Sequence, residues 1–231
     1  MKFSGIKAIA FDLDGTLVDS VPDLAVATGL TLASQGLPEC TEDQVRTWVG
    51  NGARTLMQRA LTWARGAAVT DAELDRVMPE FMHYYSQHLE QHSRLYAGVT
   101  EVLTAFKARN MPLALVTNKP YRFTEPLLRG FGIDQYFDLV LGGDSLAEMK
   151  PSPLPLIHVM RHLGVNADEL LMIGDSRNDI LAAKAAGAAS IGLTYGYNYG
   201  EDIELCGPDA VCDHFLEILT MVYTSSGSIG A

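Results

Sequence analysis

The stretch AFDLDGTLVDS, residues 10–20, places three carboxylates, Asp12, Asp14 and Asp19, directly behind the apolar run IKAIAF, residues 6–11. Ile, Ala and Phe in that run read as a buried strand, and Asp is depleted in strands. Two acids flanking a single leucine at the end of such a strand repel each other unless something positive sits between them.

Further on, the same texture recurs. From Tyr96 onward, short apolar runs (MPLALVTN, DLVLGGD, ELLMIGDS, ASIGLTYG) alternate with helical patterns (GVTEVLTAFKARN, RFTEPLLRGFG, PLPLIHVMRHLG, SRNDILAAKAAG). Strand–helix alternation of this kind predicts right-handed crossovers and a parallel sheet. Between residue 22 and about residue 94 there are helix signals and no strand signal. Thr41 with Gln44, and Thr70 with Glu73, have the spacing of capping boxes. Leu56, Met57, Ala60, Leu61 and Ala64 fall on one helical face. Pro79 is expected to kink or break the last long helix. The predicted architecture is an α/β, Rossmann-like parallel core flanked by helices (1–18 and 95–223), an inserted all-helical cap (19–94) and a frayed tail (224–231).

Composition bounds the function. The 231 residues are 48% hydrophobic with a formal net charge of −11. That is ample material for a core and argues against nucleic-acid or anionic-membrane partners. No apolar run reaches the ~18–20 residues of a membrane span. Cys40, Cys206 and Cys212 are few, odd in number and without metal-ligand spacing, which reads as reduced thiols of a cytoplasmic protein. The expected state is a monomer or small homo-oligomer.

In a parallel sheet the strand tails meet at one edge, where ligands bind. The tails here end in Asp12 and Asp14, in Thr117, Asn118 and Lys119, in Asp144, and in Asp175 and Ser176, with Asp179 one helical turn on. Asp144 and Ser176 are equally well explained as caps and turn formers. Asp12, Asp14 and Asp175 together call for a cation, and hard oxygen ligands suit Mg2+. A phosphate-sized anion beside it would account for Thr117, Asn118, the N–H groups around Gly15 and Thr16, and Lys150 in KPSPLP. A carboxylate can attack phosphorus, and a second acid two residues on can move the protons.

These residues resemble a known family. DLDGT, VTN, a lysine before proline and GDSRND are similar, in order, to the four motifs of haloacid dehalogenase-like phosphatases, and the insert resembles their C1-type cap. TWVGNGARTLMQRALTWAR, LVTNKP and AAKAAGAASIGLTYGYNYGE narrow the resemblance to members that act on 2-phosphoglycolate. The resemblance implies Asp12 as nucleophile and Asp14 as general acid/base. It implies Mg2+ held by Asp12, the Asp14 carbonyl and Asp175, with Asp179 supporting water or Lys150. Thr117, Asn118 and Lys150 would bind the phosphoryl group. Where the family often has KPHPDP, this chain has Ser152 and Leu154.

Asp19 is expected to start the first cap helix ahead of Pro22. In the cap, N–H groups at Gly50, Asn51 and Gly52 are candidates to meet the substrate carboxylate, and Arg54 is a candidate partner for it. The loop 195–201 is expected to line the entrance. His88 and His92 are placed on one helical face, and Trp48, Trp63, Phe81, Tyr84 and Tyr85 in the cap core. The alternative reading is a phosphatase of another small sugar phosphate, or a phosphoglucomutase. A dehalogenase needs no second acid, and a receiver-type signalling domain is shorter and has no cap.

Overall fold

The computed structural model describes residues 2–223; the predicted tail at 224–231 lies outside them. In chain order the elements are β1 (Phe3–Ser4), β2 (Ala8–Phe11), β3 (Val18–Asp19), α1 (Val21–Ser34), α2 (Glu42–Trp48), α3 (Gly52–Arg65), α4 (Asp71–Gln87) and β4 (Arg94–Leu95). They continue with α5 (Val99–Ala108), β5 (Leu113–Val116), α6 (Tyr121–Gly130), β6 (Leu139–Leu141), α7 (Leu154–Leu163), β7 (Leu170–Gly174) and α8 (Arg177–Ala186). The chain closes with β8 (Ala189–Leu193), β9 (Ala210–Cys212), α9 (Ile218–Met221) and β10 (Val222–Tyr223).

Six strands form one parallel sheet in the order β6-β5-β2-β7-β8-β9. The chain leaves β2 toward β5 and β6, then returns to the other side of β2 as β7. The order therefore reverses between β2 and β7, and that switch point is where an open α/β sheet forms its ligand crevice. Side chains alternate across the sheet. Ile9 and Phe11 of β2 join one core with Leu103, Phe106, Leu115 and Ile173. Ala8 and Ala10 join the other, with Val159, Met172, Ala182 and Ala183, where small side chains let α7 and α8 approach closely. The edge strand β9 and the parallel pair β1–β10 had no strand signal in the sequence reading.

The helices α1–α4 enclose a separate apolar cluster that includes Val21, Leu32, Val45, Met57, Leu61 and Phe81. Both sequence-derived capping boxes are present, Thr41 with Gln44 and Thr70 with Glu73. Helix α4 runs through Pro79 without a break. Pro79 is exposed while Leu74, Val77, Phe81 and Tyr85 are buried, so the carbonyl that loses its N–H partner is on the wet face and tertiary packing holds the helix. His88 is the C-cap and His92 lies beyond the helix, so they do not share a helical face. Trp63 stands 41% exposed, at the rim of the cluster rather than in it.

The chain enters and leaves the helical layer through one antiparallel pair, Val18 opposite Leu95 and Asp19 opposite Arg94. Buried Asp23, in the first turn of α1, clasps it: its carboxylate accepts from the N–H groups of His92 and Ser93 and from Ser93 Oγ (2.6 Å). Asp19 does not cap α1, because Ser20 takes the N-cap position. Asp19 instead accepts from Arg46 Nη2 (3.0 Å) and from the Tyr197 hydroxyl.

Candidate active site

The site is built where β2 and β7 end. The N–H of Asp12 still donates to Ile173 O (3.0 Å), so the sheet ladder fixes its position. The chain then turns at Gly15, whose φ is +87°. A Cβ there would lie 2.2 Å from Asp175 Oδ2, so only glycine both adopts this backbone and clears the neighbouring acid. Gly15 N donates to Val18 O and Thr16 N to Leu13 O. Those two N–H groups close the turn and are not offered to a ligand, contrary to the sequence expectation.

Asp175 follows β7. Its Oδ1 accepts from Thr16 Oγ1 (2.7 Å) and its Oδ2 from Tyr197 N (2.7 Å). Asp179 closes a capping box on α8, accepting from Ser176 N (3.0 Å) and Ser176 Oγ (2.8 Å). Asp12, Asp175 and Asp179 are all buried, with one carboxylate oxygen of each within 4.8 Å of the others. Lys150, 1% exposed, places Nζ 2.5 Å from Asp179 Oδ1 and 2.9 Å from Asp12 Oδ1. The approach to Asp12 is close but poorly directed, and Asp12 Oδ1 is buried without a hydrogen-bond donor.

Burial raises the Asp12 carboxyl to about 7, with Lys150 opposing the shift and Asp179 and Asp14 adding to it. Burial also pushes Asp175 well above the usual carboxylate range, and the charges of Asp12 and Asp179 push it further. For Lys150, burial disfavours the ammonium, but Asp12 and Asp179 outweigh it and the pKa is raised. Three converging buried acids that share one lysine carry an excess of negative charge that fits a bound hard cation. Hard oxygen ligands of this kind suit Mg2+ or Ca2+.

Asp14 turns its side chain away from this cluster. It accepts from Ser20 Oγ (2.6 Å) and pairs with Lys119 Nζ (3.0 Å). Lys119 also donates to the Tyr85 hydroxyl of α4. Burial disfavours the Lys119 ammonium, but Asp14 outweighs it and the pKa is raised. Counting both ends, four carboxylates face two ammoniums, and one divalent cation would balance them.

Thr117 and Asn118 follow β5 and are buried beside Lys119. Thr117 Oγ1 accepts from Lys119 N (3.2 Å). Asn118 Nδ2 donates to Lys150 O (2.9 Å) and, across the seam between sheet and helices, to Gly50 O (3.0 Å), while its Oδ1 is buried without a donor. Asn178 Nδ2 reaches the same Gly50 carbonyl. Asp144 accepts from Tyr121 N at the start of α6, a cap and not part of the cluster.

A cleft of about 40 Å³ lies between the layers. Its floor includes Asp12, Asp14, Thr117 and Asn118, and its roof Val49, Leu56, Phe81 and Tyr85. Gly50 and Gly52 line it, while Asn51 and Arg54 do not. Asn51 Oδ1 accepts from Arg59 Nη2 (2.8 Å). Arg54 lies on the outer surface, paired with Asp75 (2.6 Å) and Asp71 (2.9 Å), so it is directed away from the position expected of a substrate partner. The loop 195–201 braces the site more than it frames an entrance. Tyr195 donates to Thr16 O, Tyr197 ties Asp175 to Asp19, and Tyr199 lies between the guanidiniums of Arg59 and Arg177.

From sequence, Ser20 and Lys119 have no assigned role, Tyr85 is placed among packing aromatics, and Tyr197 is expected only within an entrance loop. The position of Lys119 directly after Asn118 was the available signal for it. The others become visible only when the helical layer is docked.

The fold and these residues define a class. The family model for haloacid dehalogenase-like hydrolases matches residues 9–193, and the chain belongs to that family. More particularly, it is 48% identical over 225 residues to the phosphoglycolate phosphatase of Pectobacterium atrosepticum, covering 97% of this chain and 96% of that one. It is 45% identical over 234 residues to the phosphoglycolate phosphatase of Escherichia coli, covering 94% and 93%. Among solved structures it matches a predicted phosphoglycolate phosphatase of Haemophilus somnus with a TM-score of 0.90 and 45% identity, covering 94% and 98%.

Proposed function

We propose that the protein is a Mg2+-dependent phosphomonoester hydrolase that converts 2-phosphoglycolate to glycolate and phosphate through a phospho-aspartyl intermediate on Asp12. The observation that carries this reading is the convergence of the buried carboxylates of Asp12, Asp175 and Asp179, with Lys150 alongside. Relatives of near full-length similarity carry the activity in their names.

Asp12, Asp175 and the backbone carbonyl of Asp14 would hold Mg2+, with Asp179 behind them. Bound there, the ion supplies positive charge against the carboxylates and the phosphoryl oxygens. Asp12 attacks phosphorus, the ester P–O bond breaks, and the leaving alkoxide takes a proton from Asp14, which for this step gives up its pairing with Lys119, turns toward Asp12 and enters protonated. A water then attacks the acyl phosphate and gives its proton to Asp14, releasing phosphate and regenerating the Asp12 carboxylate. Lys150 and Thr117 hold the phosphoryl oxygens, and Asn118 fixes the Lys150 backbone while tying the floor to Gly50. The apolar roof excludes water from the acyl phosphate until the cap opens.

Phosphate release from a panel of small esters tests the reading, with 2-phosphoglycolate expected to be hydrolysed best. Asp12→Asn abolishes release while the circular dichroism spectrum stays native, and EDTA silences the wild type until Mg2+ is restored. Turnover by the Asp12→Asn variant would remove the nucleophile assignment, and metal-independent turnover would remove Mg2+. A preference for hexose phosphates would favour the sugar-phosphate alternative.

A further inference from the structure

Among the described residues, Lys119 is the only cation that lines the cleft. Its side chain is 3% exposed, a costly place for an ammonium that serves no purpose there. Its polar partners are Asp14 and Tyr85, and none of the cluster acids is among them. Lys150 neutralises Asp12 and Asp179 at the sheet edge, whereas Lys119 bridges Asp14 and the Tyr85 hydroxyl at the cap. Tyr85 is held by stacking on Phe81 (5.9 Å between ring centroids) and by its edge contact with Phe123 (4.9 Å), so the far end of Lys119 is pinned to an apolar wall. Asp12 and Lys119 line the same cleft, so a substrate bound by its phosphoryl group at Asp12 can bring its other end to Lys119. An anionic end would find one positive group there.

We propose that Lys119 is the specificity-determining residue that receives the carboxylate of the substrate, pairing with Asp14 and Tyr85 when the cleft is empty. This rests on the phosphatase reading above and names the group that makes the site prefer a carboxylate-bearing ester. Of the other candidates for that role, Arg54 and Asn51 do not line the cleft, whereas Gly50 and Gly52 do; carboxylate recognition by their N–H groups would survive substitution of Lys119.

The test compares two esters that differ at that end alone: 2-phosphoglycolate, and 2-hydroxyethyl phosphate, in which CH2OH replaces the carboxylate. The readout is the ratio of their kcat/KM values in the wild type, Lys119→Met, Lys119→Gln and Lys119→Arg. Taking the ratio cancels any loss that follows from removing the Asp14 partner, because both esters share it. Loss of a charge-assisted contact in a closed cleft predicts a fall in the ratio of roughly thirty- to a hundredfold in the Met and Gln variants, carried by KM for 2-phosphoglycolate. Arg retains the charge in a larger, planar group, so its ratio should lie above those of the Met and Gln variants and below that of the wild type. Gln keeps polar contacts to Asp14 and Tyr85, and decides the question if Met does not fold. An unchanged ratio in the neutral variants overturns the assignment of Lys119 and leaves the phosphatase reading intact. A wild type that hydrolyses both esters equally overturns the substrate reading and this inference with it.

Discussion

Removing divalent cations should make the stability of this protein fall as pH rises. Burial raises the Asp12 carboxyl from 3.8 to about 7, and Lys150 only partly offsets it. The sign follows from proton counts. Between pH 4 and 7 the folded, metal-free protein keeps a proton on Asp12 that the unfolded chain has released, so each step up in pH favours unfolding. The shift is about 3 pKa units, and at 1.36 kcal/mol per unit the full loss is about 4 kcal/mol by pH 7.5. For a chain of this length that is a drop of roughly 10 °C in Tm. Asp175 moves in the same direction. Thermal melts in EDTA from pH 4.5 to 7.5 measure the effect. Asp12→Asn is the control, since its amide does not titrate and its melting curve should lack the Asp12 part of the slope. Saturating Mg2+ should flatten the wild-type dependence, because the ion takes the place of the proton. A metal-free Tm that is level or rises toward pH 7.5, or one that falls equally in Asp12→Asn, would refute the argument that burial governs this carboxylate.

Other substitutions probe single contacts. Lys150→Met leaves Asp179 buried without its cation and should cost about 3–5 kcal/mol in denaturant unfolding, along with most of the activity. Gly15→Ala puts a Cβ 2.2 Å from Asp175 Oδ2 at a positive φ, so it should lower both Tm and the affinity for Mg2+, read by metal titration. Arg54→Ala should change KM for any phosphate ester by less than about twofold, because Arg54 pairs with Asp71 and Asp75 on the outer surface. A larger change would return Arg54 to the site.

The sequence by itself determined the parallel core, the helical insert after β2 and the edge at which the acids meet. The reason is local: apolar runs, turn residues and capping boxes are written in neighbouring positions, and a parallel sheet brings all strand tails to one side. Asp12, Asp14 and Asp175 are grouped on that ground alone, the place of Asp179 beside Lys150 follows from the family resemblance, and only the structure shows the Asp14 side chain turned toward Lys119. Pro79 does not break α4, because its effect depends on whether the freed carbonyl meets water, which is a matter of burial. Only the tertiary structure decided which partners the long side chains take. Lys119 meets Asp14 across 105 positions, and Tyr197 meets Asp19 across 178. Arg54 turned out to face solvent acids, and the Gly15 and Thr16 N–H groups proved to be spent on their own turn. Such pairings follow from how the helical layer sits on the sheet, and no periodicity in the chain encodes that placement.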